Sequence, residues 1–460
     1  MSVCPANRLE IKTKNEEGTM GHGEMIHIAK HGGAERCRRI PARERRYTGV
    51  LFLLLFGVFA LPIILFSGCA TMGPRYDELD APSPEIWGGS DDPAFQDQDM
   101  MVEDWWTVFG DPVLDMLVQK AYEQNLTLQA AGVRIAEARA RLGIAKGGLF
   151  PQQQSLDAIY QYNRLSENAT NIDLSSIDTT YGQWGINFDV AWELDLWGKY
   201  RSAIESGKAG LEASIANYDD VLVILTAEVA RTYVLIRTLE ERLTVFRENV
   251  RIQQDSLRIT QARFEGGLVT ELDVQQARSL LRSTESAVPV TEAALTKAKN
   301  GLSVLLGLLP GEADEMLGAQ PIPTTPDMVA VGIPAELLRR RPDIRFAEQR
   351  IAAQSGRVGI ARADLYPQFV LFGNIGFKSQ DLGNLFSAGS FALFTGPALQ
   401  WNLLNYGRIR NGVRVEDAVF QQLLLDYENT VLRANREVED AMVSFAKNRE
   451  QKQFLADSVE

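Results

Sequence analysis

Reactive side chains are spread unevenly over this 460-residue chain. Its three cysteines are Cys4, Cys37 and Cys69, and its three histidines are His22, His27 and His31. Beyond residue 69 there is neither thiol nor imidazole. That region therefore holds no disulfide, no thiolate metal site and none of the usual acid–base residues of neutral pH. No nucleophile elbow follows either, so the expectation is a protein that is not an enzyme, with no metal and no resident cofactor. What remains is the Cys69 thiol, able to accept a covalent group, and a set of carboxylates. Formal charge is −13, but residues 1–68 hold ten Lys/Arg against six Asp/Glu, a surplus of +4, leaving −17 for the rest. So acidic a body argues against nucleic acid, whose phosphates require a basic face.

The segment around Cys69 indicates what its thiol is for. Arg36, Arg38, Arg39, Arg43, Arg45 and Arg46 precede the apolar run Val50–Phe66, and small Ser67 and Gly68 follow it. Basic, then apolar, then small is the layout of a secretory signal. The run has 17 residues and contains Gly57 and Pro62, short and weak for a permanent spanning helix. Phe66–Cys69 resembles a lipobox, in which lipid is attached to the cysteine and the chain is cut before it. Phe66 stands where that motif usually has Leu, with Leu65 one place further back. Residues 1–68 are thus read as a leader, Cys69 as the lipid attachment point, and Ala70 after it as a pointer to the outer membrane. The alternative is an inner-membrane anchor with Cys69 incidental. The 49 residues before Val50 are long for a leader, with Met20 and Met25 as internal candidate starts.

An internal repeat organises the remainder. Arg134–Gln152 (RIAEARARLGIAKGGLFPQ) and Arg350–Gln368 (RIAAQSGRVGIARADLYPQ) match at offset 216 with ten of nineteen positions identical. Trp192–Lys199 (WELDLWGK) matches Trp401–Arg408 (WNLLNYGR) at offset 209, as do Tyr218 with Tyr427 and Glu228–Val229 with Glu437–Val438. Each half reads as a helix, an LFP or LYP break, two strands, then Gly-Lys/Arg opening a long helix. Residues 69–320 form the first repeat and 321–460 the second, joined by the proline-rich stretch 320–334.

In Trp184–Leu196 one face carries Trp184, Ile186, Phe188, Val190, Trp192, Leu194 and Leu196, and the other Gly185, Asn187, Asp189, Ala191, Glu193 and Asp195. Thirteen residues with so one-sided a face suit a tilted barrel strand, lipid outside and water inside. Gln154–Asn163, Tyr366–Lys378 and Phe391–Leu404 supply three more strands. Asp189, Glu193 and Asp195 are candidate lumen-facing groups, with ordinary solvated charge as the alternative. Trp192, Trp197, Trp401 and Tyr406, near strand ends, are candidates for an interfacial aromatic girdle.

From Leu211 to Glu265 there is neither Gly nor Pro. Apolar residues such as Leu211, Ile215, Leu222, Val229, Ile236, Leu243 and Val250 recur there at alternating fours and threes, a coiled-coil seam. Those 55 residues span roughly 80 Å. Gly266–Gly267 breaks the rod, and Glu271–Leu306 returns as the second arm of a hairpin, kinked at Pro289. The fold class is therefore mixed: an all-α coiled coil joined to a membrane β-barrel. Four strands in lipid leave two edges bare, so other copies must close the barrel. Two copies give eight strands and a filled interior, whereas three give twelve and an open duct.

At this point the chain resembles the TolC-like outer-membrane efflux proteins, in the lipoprotein branch (NodT family) that serves RND-type pumps. The resemblance runs from Cys69 to the C-terminus. It rests on Asp104–Asn125 (DWWTVFGDPVLDMLVQKAYEQN), the LFPQ and LYPQ breaks, Trp192–Ala203, Arg263–Arg278 (RFEGGLVTELDVQQAR), Gly301–Gly311 and Leu337–Gln349. It implies a homotrimer whose twelve-stranded barrel stands on a long α-helical barrel crossing the periplasm. The implied function is a passive exit duct for drugs or other small toxic compounds, lipid-anchored in the outer membrane of a Gram-negative bacterium. The implied partners are a periplasmic adaptor and an inner-membrane RND-type transporter. The hairpin tip, Gly266, Gly267, Leu268, Val269, Thr270, Leu272 and Asp273, matches the end that engages the adaptor; the alternative is a plain helix-connecting turn. Trp105–Trp106 reads as equatorial packing, and Arg339–Arg341 as a helix-start cluster anchoring the repeat junction.

The repeat also implies an incomplete second half. At offset 209, Glu460 corresponds to Arg251, and residues Ile252–Leu309 of the first repeat have no counterpart. The expectation is a truncated chain whose seam of Val431, Val438, Met442 and Phe445 lacks its neighbour. Alternatives to the efflux duct are a secretion duct of an ATP-driven exporter and a truncated, non-conducting coiled-coil envelope protein.

Overall fold

Asp111 and Asn125 start the first two helices, α1 (Pro112–Gln124) and α2 (Leu126–Gly147). The Asp111 carboxylate accepts from the Val113 and Leu114 N–H groups at 2.8 and 3.2 Å, with Pro112 at the first helical position. The Asn125 side-chain oxygen caps α2 by accepting from Leu128 N–H at 2.9 Å. This computed structural model describes residues 104–166, 178–325 and 338–458, with a few positions between 84 and 96 and at 328–330. The leader and Cys69 lie outside the described residues, so cleavage and lipidation there carry forward as proposals.

The LFP break ends α2, and the chain enters β1 (Gln153–Arg164) and β2 (Thr180–Glu193). A rod follows, α3 (Lys199–Glu265), then its return arm α4 (Glu271–Leu305). The second repeat gives α5 (Pro342–Ala363), β3 (Gln368–Ser379), β4 (Phe391–Gln400) and a second rod, α6 (Arg408–Asp457). The four strands make one antiparallel sheet in the order β1-β2-β3-β4, leaving the outer edges of β1 and β4 unpaired among the described residues. Among the described residues no helix is long and apolar enough to cross a membrane.

Several sequence boundaries shift for local reasons. The strand read as Trp184–Leu196 begins earlier, at Thr180, and ends at Glu193, because Asp195 is drawn into starting α3. α3 has 67 residues, about 100 Å, since it starts at Lys199 and runs through Gly207 and Gly210. Its upper seam is small rather than large: Ala209, Ala213 and Ala216 are buried, and Leu211 and Ile215 only half-buried. Small residues permit close helix approach. A Cβ on Gly356 of α5 would meet the Ser202 carbonyl oxygen and Ser206 Cβ, both at 2.7 Å. α4 continues through Pro289 as one helix, with the proline on its exposed face.

Two apolar cores anchor the rods. The first joins α1, α3 and the end of α4 through Leu114, Leu117, Val229, Tyr233, Ile236 and Leu302, with Trp105 and Trp106 packed against it. The second joins α5 and α6 through Ile344, Ile351, Tyr427 and Val431. Buried beside the first is Arg237, which nothing in the sequence pattern singles out. It donates to the Leu317 and Gly318 carbonyls and to Glu240, the last at 2.8 Å. Its neighbour Tyr233 donates to Asp111 at 2.6 Å; burial and that hydrogen bond push the phenol up to about 12. Nor is the α6 seam bare. Val431 and Met442 are buried, Phe445 meets Phe95 at 6.0 Å, and Gly88 N–H donates to Glu439 at 2.7 Å.

Where β3 crosses β2, Gly376 has no room for a side chain: its Cβ would lie 2.1 Å from the Ile186 carbonyl oxygen. Gly376→Ala is expected to cost about 1–3 kcal/mol by forcing the strands apart. Gly143→Ala, in a helix with nothing within 4 Å, should be neutral or stabilising. Thermal unfolding midpoints of the detergent-solubilised variants check this.

Candidate functional site

The pairing register sorts the sheet into two unlike faces. Across one face run the rows Leu156–Phe188–Ile375–Leu393 and Ala158–Ile186–Phe377–Phe391, followed by Tyr160 beside Trp184. The Tyr160 and Trp184 rings lie 4.5 Å apart, and Phe377 and Phe391 lie 5.9 Å apart. Across the other face run Asp157–Asn187–Gly376–Ala392 and Ser155–Asp189–Asn374–Phe394. Such a sheet presents a face with an apolar centre, bounded by Gln154, Arg164 and Ser379, to hydrocarbon and a partly polar face to water.

Asp189 sits on that polar surface, where it accepts from the Asn374 amide at 2.6 Å. Asp157, which the strand reading did not single out, shares the face and accepts from Ser155 at 2.9 Å. Period-2 alternation in β1 with its pairing to β2 would have found it. Glu193 ends β2 and is held by the Tyr200 hydroxyl at 2.9 Å and the Lys199 ammonium at 3.5 Å. Asp195 is off the strand altogether, and its assignment to the polar face is corrected here. Its carboxylate accepts from the Tyr200 and Arg201 N–H groups at 3.1 and 3.0 Å and from Arg201 Nε at 3.1 Å. These bonds satisfy the first free donors of α3, so Asp195 is a helix-starting group.

The tryptophans hold the strands to the rods. Trp192 Nε1 donates to the Leu149 carbonyl at 3.0 Å and Trp401 Nε1 to the Leu365 carbonyl at 3.1 Å. Leu149 and Leu365 open the LFP and LYP breaks, so the two repeats use the same staple. Trp197 instead bridges the repeats, donating to the Pro367 carbonyl at 2.7 Å and stacking on Tyr366 at 4.8 Å. Tyr406, its repeat mate, touches nothing comparable and is 99% exposed. Lys199 also spans the repeats, reaching Asp364 at 3.1 Å. Burial disfavours its ammonium, but Asp364 and Glu193 outweigh that and raise its pKa above the ordinary lysine value.

At the far end of the rod, Gly267 takes a left-handed φ of +71° and closes α3. Leu268 N–H donates to the Arg263 carbonyl at 2.8 Å and Gly267 N–H to Phe264 at 2.9 Å, a Schellman turn. Three residues on, Thr270 and Asp273 form a capping box that opens α4, with Thr270 N–H on Asp273 Oδ2 at 2.7 Å. Hydrogen bonds from Thr270 hold the Asp273 carboxyl below its ordinary range. Both helix ends are thus satisfied, and Leu268 and Leu272 stand 78% and 65% exposed while Val269 is half-buried.

The sequence profile of the family described as outer membrane efflux protein matches residues 117–308 and 333–460. This chain belongs to that family. It is 33% identical over 365 residues to the pyoverdine export outer membrane protein OpmQ of Pseudomonas putida, covering 77% of this chain and 75% of that one. It is 27% identical over 411 residues to the toluene efflux pump outer membrane protein TtgC of the same species, covering 87% and 82%. Among solved structures, the outer-membrane channel OprN is similar with a TM-score of 0.78 and 30% identity, over 84% of this chain and 86% of that one. The fold is therefore TolC-like, and the protein is the outer-membrane channel of an efflux pump, reaching into the periplasm and not an enzyme. As one component of a pump, it works with others.

In this efflux protein Arg341, at the start of α5, ties α5 to α6, and Arg345 ties α5 to α3. Arg341 binds Asp343 at 2.9 Å and Glu437 of α6 at 2.7 Å, and neighbouring Arg345 reaches Asp219 of α3 at 3.3 Å. Arg341, Asp343 and Glu437 border a cavity of about 730 Å³ that Asp220 of α3 also lines. Burial, then repulsion from Asp343, outweighs Arg341 and raises the Asp220 pKa. Arg341 stands at the start of α5, while the ion pair that joins the two repeats is made by Arg345.

Two predictions follow from these contacts. Trp192→Phe and Trp401→Phe each strand a carbonyl; each is expected to lower stability by about 1 kcal/mol, and the double variant by about the sum. Unfolding of the detergent-solubilised protein reads this. A raised carboxyl pKa means that the charged form weighs against the fold, and that the penalty disappears as pH falls through that pKa. Asp220→Asn should therefore raise the unfolding midpoint at about pH 7.5 and lose its advantage on acidification toward the ordinary carboxylate range.

Proposed function

We propose that three copies of this chain form the passive exit duct of a tripartite pump for small toxic organic compounds. The observation that carries the reading is the amphipathic four-stranded sheet with two bare edges among the described residues, joined directly to rods of about 100 and 75 Å. Three copies close twelve strands around an opening, whereas two would fill it with side chains. Lipid on Cys69 would anchor the duct, and Asp189 with Asp157 and Glu193 would line its barrel. Trp192, Trp197 and Trp401 sit where the apolar sheet meets the rods, which suits a membrane-interface girdle. The names of two relatives, for export of pyoverdine and efflux of toluene, support a small organic cargo.

The hairpin tip is the proposed contact for a periplasmic adaptor, which would link the duct to an inner-membrane RND-type transporter. A rigid turn bearing two exposed leucines suits an apolar socket. Placing charge there, as Leu268→Asp with Leu272→Asp, should disable docking without touching the sheet or either core. In a strain lacking its own outer-membrane channels, the double variant is expected to export roughly tenfold less, equivalent to about 1.4 kcal/mol of docking. Outer-membrane levels should match the parent protein. Unchanged export would remove the tip from the adaptor contact.

A further inference from the structure

Where strand turns into rod, the first repeat balances its charges. Between residues 193 and 205 it places Glu193, Asp195 and Glu205 with Lys199 and Arg201. Both cations are paired, Lys199 with Glu193 and Asp364, and Arg201 with Asp195. At offset 209 those five positions become Asn402, Leu404, Arg414, Arg408 and Arg410. Three carboxylates and two cations give way to three arginines and no carboxylate, so a local charge of −1 becomes +3. Nor does offset 216 return an acid, since it turns Asp364 into Gly148.

The three arginines are exposed, and none has a carboxylate partner among the described residues. Arg414 donates to the Asn411 side-chain oxygen at 3.2 Å. The next acids along α6 are engaged across to α5, Glu416 by Gln354 at 2.6 Å and Asp417 by Arg362 at 3.2 Å. Such a cluster weighs against the fold. Cations in the first turns of a helix oppose its macrodipole, and Arg410 and Arg414 repel each other at a spacing of four.

Its position supplies a reason to keep it. The cluster follows the end of β4, where Leu399, Trp401, Leu403, Leu404 and Tyr406 are all exposed. Apolar, then aromatic, then basic is the order of environments met from hydrocarbon through the interface to the headgroups. The rod beyond runs into the periplasm, so the headgroups at this level belong to the periplasmic leaflet. Arginine suits a phosphate there, because its planar fork presents two N–H groups at once.

We infer that Arg408, Arg410 and Arg414 form a site for the phosphate headgroup of an anionic phospholipid. The lipid phosphate takes the place that carboxylates hold in the first repeat. This inference rests on the reading in which the sheet lies in the membrane.

Native mass measurement of the detergent-extracted full chain, with phosphatidylglycerol or phosphatidylcholine added, tests the site. Phosphatidylglycerol should be retained at least about tenfold better, by an amount that shrinks as salt is raised. Each single variant, Arg408→Gln, Arg410→Gln or Arg414→Gln, should lose about fivefold, and the triple variant should lose the preference altogether. Lysine at all three positions should keep most of it. Arg231→Gln with Arg251→Gln and Arg258→Gln removes the same charge from the middle of α3 and should leave it unchanged. Equal retention of the two lipids, or a triple variant that binds like the parent, overturns the site. So does a control that loses as much, or complete displacement of the lipid by inorganic phosphate. Insertion of the sheet is read separately, as quenching of Trp184 by brominated acyl chains in vesicles, with Trp184→Phe as the blank. Quenching without a lipid preference overturns the headgroup site alone, whereas absence of quenching overturns the site and the membrane reading of the sheet together.

Discussion

In hydrocarbon, a backbone N–H or C=O without a partner costs several kcal/mol, and no water is present to supply one. Everything distinctive about this chain answers that constraint. Its four strands pair β1 to β4 in sequence and then stop, so one chain contains a fraction of a barrel. The apolar face, continuous across all four strands, rules out a soluble solution in which the edges are simply wetted. In hydrocarbon such edges call for strands from elsewhere, which is why the proposed duct takes more than one copy.

The second demand is mechanical. Within a few residues the chain must change from a strand with period 2 to a rod with period 3.6, without leaving polar backbone stranded at the boundary. The same parts do this in both repeats. Gly198 and Gly407 take left-handed φ values of 74° and 82°, turning the chain into its rod. Trp192 and Trp401 bond the carbonyl at the head of each break. The crossing from one repeat to the other is carried by Trp197 and Lys199, whose counterparts Tyr406 and Arg408 are exposed.

Much of this was legible in the sequence because it is periodic. The repeat, the four strands, the rods and the glycine tip all follow from spacing, and the start of α5 after Arg341 follows from Pro342. What escaped depends on contacts between distant segments. Asp195 continues the alternation of β2, yet it caps a helix, because hydrogen-bond demand at the start of α3 overrides strand pattern. The close packing of α3 on α5 rests on alanines and Gly356, which a search for large apolar residues passes over. Arg237 is charged and fully buried, held by carbonyls some eighty residues away, and no local signal marks it. Phe95 and Gly88 cover a seam of α6 that looked bare because their own segment has no periodicity.

The polar face of the sheet carries a further consequence. Asp157 and Asp189 lie on adjacent strands of that face with Lys378 of β3 beside them, and rotation about a threefold axis would repeat the three as a collar of net negative charge. Such a collar favours cations and slows anions by an amount that fades once salt shortens the Debye length below the width of the opening. A conduit commonly regarded as indifferent to its cargo would then act as a weak electrostatic filter, set by two carboxylates and tuned by the ionic strength of its surroundings.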